Sequence, residues 1–341
     1  RKLPGLQRAL DVPSLAAVAY GEIASSLYFA LGVVALYALG VTAWVLLISG
    51  LVFLLVALSY AEGTAAIPEP GGAALFVRRA FNDPAGFVTG WALYLDYLIV
   101  MALAALFVPH YLAVAIGVKE LRDSPWDVVV GVGVILVLAL VRLVRRPQLY
   151  ALAIGIAAIA LAAHLTLILL GLPFLFDTHA LGAGTDLGGD PAWDELAFAL
   201  PLAMLAYTGL ETVANLAAEA REPGRTLPRS LFTGIGAVVA VSFGVAVVGL
   251  SAFPVVNGST ALGEEWRLAP LAGIAERIGD ELPSTLGDAL VFAIGISGVV
   301  VLLAAVTTSM SGAVSRYRRR PWRTRTWSSA PWASPVRPTR C

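Results

Sequence analysis

Eight long apolar runs leave this chain few folds to adopt. They are Leu15–Gly40, Ala43–Ile67, Pro84–Ile116, Trp126–Leu143, Tyr150–Phe174, Trp193–Leu216, Leu231–Phe253 and Thr285–Val314. A run of roughly 20 apolar residues reads as a membrane-crossing helix. Within lipid every backbone N–H and C=O must be satisfied inside the protein, and a helix does this within one segment. The expected architecture is therefore an all-α polytopic membrane protein with about eight transmembrane helices, and the lipid bilayer is its first partner. Composition agrees: 58% of the residues are apolar, only 13% are charged, and the mean hydropathy is +0.81. That is too little charge to cover a soluble domain of this size. A net charge of zero argues against a nucleic-acid partner. The single cysteine, Cys341, excludes an intrachain disulfide and a thiolate metal cluster.

Loop charge sets the expected orientation. With the N-terminus in the cytoplasm, 19 of the 23 Lys and Arg residues fall inside, and only Lys119, Arg122, Arg267 and Arg277 fall outside. This is a strong positive-inside bias, and it places both termini in the cytoplasm. Between the second and third runs, Glu69-Pro70-Gly71-Gly72 opens a short segment with Arg78 and Arg79. It reads as an interfacial helix.

Two runs carry groups that a simple anchor lacks. The sixth contains Tyr207-Thr208-Gly209-Leu210-Glu211, a glycine and a carboxylate near its centre. Glycine weakens a helix, and an ionised Glu in hydrocarbon costs several kcal/mol. Such a break is tolerated where the freed backbone faces protein or a water-filled cavity. The first run carries Gly21-Glu22-Ile23-Ala24-Ser25-Ser26-Leu27-Tyr28-Phe29 and then Gly32. Small residues here also suit close helix packing. A carboxylate beside two hydroxyls, between glycines, further suits a helix that unwinds around a polar ligand. Interrupted first and sixth helices match an inverted-repeat transporter with five helices per repeat.

These stretches resemble the amino acid–polyamine–organocation superfamily of permeases, which has the leucine-transporter fold. Gly21 to Phe29 resembles the family's first-helix motif. Tyr60-Ala61-Glu62, Pro68, Pro70-Gly71-Gly72 and Gly90-Trp91 resemble its second helix, the following loop and the start of its third helix. Tyr207 to Glu211, with Glu219, Pro223, Arg225, Pro228 and Arg229, resembles its sixth helix and the next cytoplasmic loop. The resemblance covers about residues 1–315. It implies a secondary active transporter of amino acids or related small amines, working by alternating access. On the matching positions it implies solute contact by Ser25, Ser26, Tyr28, Tyr207, Thr208 and Gly209. Glu22 and Glu211 are candidates for amine pairing, for proton coupling or for tying the helices together. Two departures stand out. Ser25-Ser26-Leu27 occupies the place of the family's Gly-Ser-Gly, whose glycines free amides for a substrate carboxylate. The fifth helix lacks the lysine that many proton-coupled members carry.

No cofactor is expected beyond a coupling ion, H+ or Na+. His164, in the fifth run, has a suitable intrinsic pKa for carrying a proton; the alternative is a histidine bonded to a neighbouring helix. Thr307, Thr308 and Ser309 match the helix whose hydroxyls help to hold sodium in sodium-coupled relatives, with Thr308 and Ser309 the possible ligands. The alternative is hydroxyl bonding to the helix backbone. Asp96 belongs either to a proton path or to a pair with another helix, whereas Glu62 reads as structural. An aromatic such as Tyr28 or Tyr207 either gates a site or packs in the core. No nucleophile–His–acid constellation suggests an enzyme, and the sequence sets no oligomeric state.

Residues 316–341, with eight arginines, three tryptophans and four prolines, cannot span a membrane. Family members usually carry about four more helices. The expectation is an out-of-frame or artificially truncated end and an incomplete second repeat. Two alternatives to transport follow: a truncated, transport-inactive fragment, and a membrane receptor that binds solute without moving it.

Overall fold

The computed structural model describes residues 11–67, 71–144, 149–209 and 223–317. Its helices are α1 (Val12–Ser25), α2 (Leu27–Ala38), α3 (Thr42–Ala66), α4 (Gly72–Ala80), α5 (Asp83–Ile116), α6 (Trp126–Val144), α7 (Leu149–Leu175), α8 (Thr178–Gly182), α9 (Trp193–Leu205), α10 (Pro223–Ala252), α11 (Pro270–Asp280) and α12 (Ser284–Tyr317). Among the described residues there are no strands, only two isolated bridges. This is an all-α polytopic membrane protein. Among the described residues six helical stretches are long and apolar enough to cross a bilayer: Leu27–Ala66, Asp83–Ile116, Trp126–Leu143, Ala153–Leu175, Arg225–Ala252 and Ser284–Ala313. A 3-10 turn at Leu39–Val41, with Leu39 at φ 46°, divides the first of these into α2 and α3.

The apolar runs map onto these elements. Leu15–Gly40 is the pair α1–α2, and Ala43–Ile67 is α3. The third, fourth, fifth, seventh and eighth runs are α5, α6, α7, α10 and α12. Trp193–Leu216 begins as α9, and its residues beyond Gly209 lie outside the described ones, Glu211 among them. The segment expected at the interface is α4. Arg316 and Tyr317 lie in α12, and the rest of the basic tail lies outside the described residues.

Local chemistry sets the helix ends. The Asp11 carboxylate accepts from the Ser14 N–H at 3.1 Å, with proline in the first turn of α1; both are ordinary start signals. Asn82 caps α5 in the same way, accepting from Ala85 N–H at 2.9 Å. Gly117 ends α5 in the left-handed region at φ 73°, where glycine pays no Cβ penalty.

The core is assembled by α5 against α12, α10 against α3, and α1 against both α10 and α7. Small residues bring the backbones together: a Cβ on Gly234 would lie 2.7 Å from Ala19 Cβ, and one on Gly295 2.9 Å from Ala115 Cβ. Close backbone approach of this kind drives helix association in lipid, where apolar surface alone gives no preference for protein over acyl chain. On α6 the exposed residues Val128, Val132, Leu136 and Leu140 recur every fourth position. That apolar stripe suits lipid contact.

Candidate functional site

The helical path of the first span breaks for one residue. Ser26 separates α1 from α2, and its N–H bonds to the carbonyls of Ile23 and Ala24. The amides of Phe29 and Ala30 are closed onto the Ser26 carbonyl at 3.2 and 2.9 Å. The loosened turn thus re-satisfies these amides with its own carbonyls instead of presenting them outward.

After α9 the chain leaves helix entirely: Ala206 and Tyr207 form a turn, and Thr208 and Gly209 are irregular. Gly209 has φ +120°, and a Cβ there would lie 3.3 Å from Glu22 Cβ. Only glycine holds that backbone easily. The break in α9 therefore rests directly on α1. One residue earlier, the Thr208 and Ser26 hydroxyls are 3.3 Å apart.

Around this contact lies a cleft of about 20 Å³, lined by Glu22, Ser25, Ser26, Asp96, Tyr97, Val100, Thr208, Gly209, Ala305, Thr308 and Ser309. Helix periodicity explains the set. Residues 22, 25 and 26 share one face of the first span, 96, 97 and 100 one face of α5, and 305, 308 and 309 one face of α12. The structure brings together eight residues singled out from sequence: Glu22, Ser25, Ser26, Asp96, Thr208, Gly209, Thr308 and Ser309. Sequence reasoning missed Tyr97, Val100 and Ala305. The signal was present in the helical spacing from Asp96 and from Thr308 and Ser309.

Hydroxyl orientation gives the cleft its chemistry. Ser25 donates to the Glu22 carbonyl at 2.6 Å. Thr308 donates to the carbonyls of Ala304 and Ala305, both at 3.1 Å. Thr208 donates to the Leu205 carbonyl at 3.1 Å, leaving Ser26 as donor to Thr208. A hydroxyl that donates to its own backbone keeps lone pairs for another partner. The lining therefore combines two carboxylates with acceptor oxygens, and none of its side chains is basic. Such a set suits an ammonium group or a hard cation. A volume of about 20 Å³ holds roughly one water-sized group.

A wider cavity of about 290 Å³ adjoins the cleft. The two share Glu22, Ser25, Ala305 and Thr308. Thr307 lines the wide cavity, not the cleft, and donates to the Leu303 carbonyl at 2.8 Å. Arg142 of α6 bonds the Thr307 carbonyl at 3.0 Å and the Ser311 hydroxyl, fastening α6 to α12 one turn below Leu138 of the cavity wall.

The other sequence candidates lie elsewhere. His164 is fully buried, with Nδ1 3.0 Å from the Tyr20 hydroxyl. Its Nε2 has no hydrogen-bond partner among the described residues. Tyr28 packs its ring 5.2 Å from His164, bonds Ser297 at 3.2 Å, and accepts from Tyr111 through its carbonyl at 2.8 Å. Tyr207 donates to the Leu46 carbonyl at 2.8 Å. Its ring lies against Gly50, one turn further along α3, where a Cβ would come within 2.9 Å of Cζ. Tyr28, Tyr207 and His164 thus lie outside the cleft lining and join helices to one another.

Comparison with known proteins gives two findings. A family model described as amino acid permease matches residues 10–338. Two curated relatives, each described as a low-affinity putrescine importer, come from Escherichia coli strain K12 and Escherichia coli O157:H7. Each is 24% identical over 185 residues, which is 52% of this chain and 39% of the relative. The match thus spans about two fifths of the length of these relatives.

Proposed function

Because the chain belongs to the amino acid permease family, we propose that it is a secondary active transporter of a small amine or amino acid, working by alternating access. The observation that carries this reading is the acceptor-rich cleft where the breaks after α1 and α9 meet. An anchor or scaffold has no use for two carboxylates and a positive-φ glycine between its helices.

In this reading Glu22 pairs with the solute ammonium, while Ser25, Ser26 and Thr208 accept from it. Thr308, Ser309 and Asp96 supply further oxygens on the opposite wall of this one-group space, and Asp96 is the carboxylate that carries a coupling proton. Amines without an α-carboxylate are preferred. The amides of Ser26, Phe29 and Ala30 are already bonded to main-chain carbonyls, and Glu22 and Asp96 of the cleft lining are both carboxylic acids. The putrescine importers named above support the same preference. His164 acts as a tie between α1 and α7, supported by its sealed burial and its bond to Tyr20. Both termini lie in the cytoplasm, as the basic loops favour.

Uptake into proteoliposomes tests the proposal. Labelled amine should accumulate against its gradient when an inward sodium or proton gradient is imposed. Saturable binding without accumulation under either gradient would instead establish a receptor or a transport-inactive chain.

A further inference from the structure

The wide cavity beside the cleft has no counterpart in the chemistry of a diamine. Among the described residues Glu22, at the edge shared with the cleft, is the only charged one lining it; Ser25, Thr307 and Thr308 add hydroxyls, and the rest of the wall includes Leu138, Ile156, Val300, Val301 and Leu303. A second ammonium placed among these groups would lose its hydration, with only the hydroxyls of Ser25, Thr307 and Thr308 and no second carboxylate in the lining to replace it. An apolar group placed there would lose unfavourable contact with water. The volume of about 290 Å³ is roughly twice that of an apolar protein cavity able to hold benzene.

We propose that this cavity seats the hydrocarbon body of the solute while the cleft holds its ammonium. The preferred solute is then a primary amine with one bulky apolar group, an aryl- or branched-alkylamine, rather than a diamine. This rests on the amine reading of the cleft. Adjacency is the reason for choosing this occupant: Glu22, Ser25, Ala305 and Thr308 border both spaces, so an ammonium held at Glu22 has the wide cavity beside it. Ala304 lines only the wide cavity, so it offers a way to fill one compartment.

Equilibrium binding of ethylamine, 2-phenylethylamine and putrescine to the purified full chain tests the idea. Burial of apolar surface gains about fourfold in affinity per methylene. 2-Phenylethylamine should therefore bind at least ~10-fold more tightly than ethylamine, and putrescine no more tightly than ethylamine. Ala304→Phe should cut the phenylethylamine-to-ethylamine ratio to about threefold or less. If that variant fails to fold, Ala153→Leu narrows the same cavity from α7 and should lower the ratio in the same direction. Putrescine binding as tightly as 2-phenylethylamine overturns the proposal, as does a ratio that survives the filled cavity. Ethylamine binding without preference for the aryl group defeats this inference alone. A chain that binds none of the three defeats the amine reading with it.

Discussion

Two polar clusters sit within the helices of this protein, and they are built on opposite principles. The first joins Tyr20, His164, Tyr28, Ser297 and Tyr111. All five are buried, the aromatic rings interlock, and none carries an obligatory charge. The second joins Glu22, Ser26, Asp96, Thr208 and Thr308 around free volume. Burial does not separate them, since Ser26 is as deeply enclosed as Ser297. What separates them is empty space and the sign of the lining. A closed network whose groups bond one another fixes which helices touch. An acceptor-rich cleft with room for one more group is suited to something the chain does not itself supply.

Substitutions can break this contrast or sharpen it. The largest effect is expected at Glu22. Glu22→Gln keeps the shape but removes the charge, and a charge-assisted hydrogen bond contributes ~1.5–3 kcal/mol. Amine affinity should fall ~10-fold or more. His164→Ala should act on stability instead. It leaves a cavity among aromatic rings and deprives the Tyr20 hydroxyl of its partner, for a loss of about 2–4 kcal/mol. That should appear as a lower melting temperature, with amine affinity in the folded fraction within about threefold of the parent chain. If His164→Ala spares stability and abolishes proton-driven uptake, the two clusters have been assigned the wrong roles.

Gly209→Ala lies between them. Alanine at φ +120° is strained by ~1–3 kcal/mol, and its Cβ would press on Glu22. Melting temperature and amine affinity should therefore fall together. The smallest effect is expected at Arg78→Ala. This removes an ion pair with Asp83, whose side chain is 75% exposed. Pairs of that kind contribute about 0–1 kcal/mol, so both measurements should be nearly unmoved.

Much of the fold was legible because bilayer thickness and helix rise translate directly into run length. The runs ending in α3, α5, α6, α7, α10 and α12 were all visible as apolar stretches. The division of Leu15–Gly40 was legible only in part. Glu22, Ser25 and Ser26 marked its polar face, whereas the one-residue extent of its break depends on carbonyls that re-bond the Ser26, Phe29 and Ala30 amides. The cleft was legible residue by residue but not as a set. Nothing in the spacing said that Thr208 would meet Ser26, or that Asp96 of α5 would face Thr308 of α12. Those meetings depend on helix rotation, which small residues such as Gly295 and Gly234 fix through backbone approach. The bonds of Tyr20 with His164 and of Tyr207 with Leu46 were equally out of reach, because each depends on a partner more than 140 residues away.

The central claim is that the cleft between the two breaks holds a cation through Glu22. Equilibrium dialysis of labelled ethylamine against the purified protein and its Glu22→Gln variant tests it most directly. The account predicts saturable binding to the parent chain, competition by other amines but not by acetate, and at least ~10-fold weaker binding to the variant. Equal binding to the two proteins, or displacement by acetate as effective as by an amine, would contradict it.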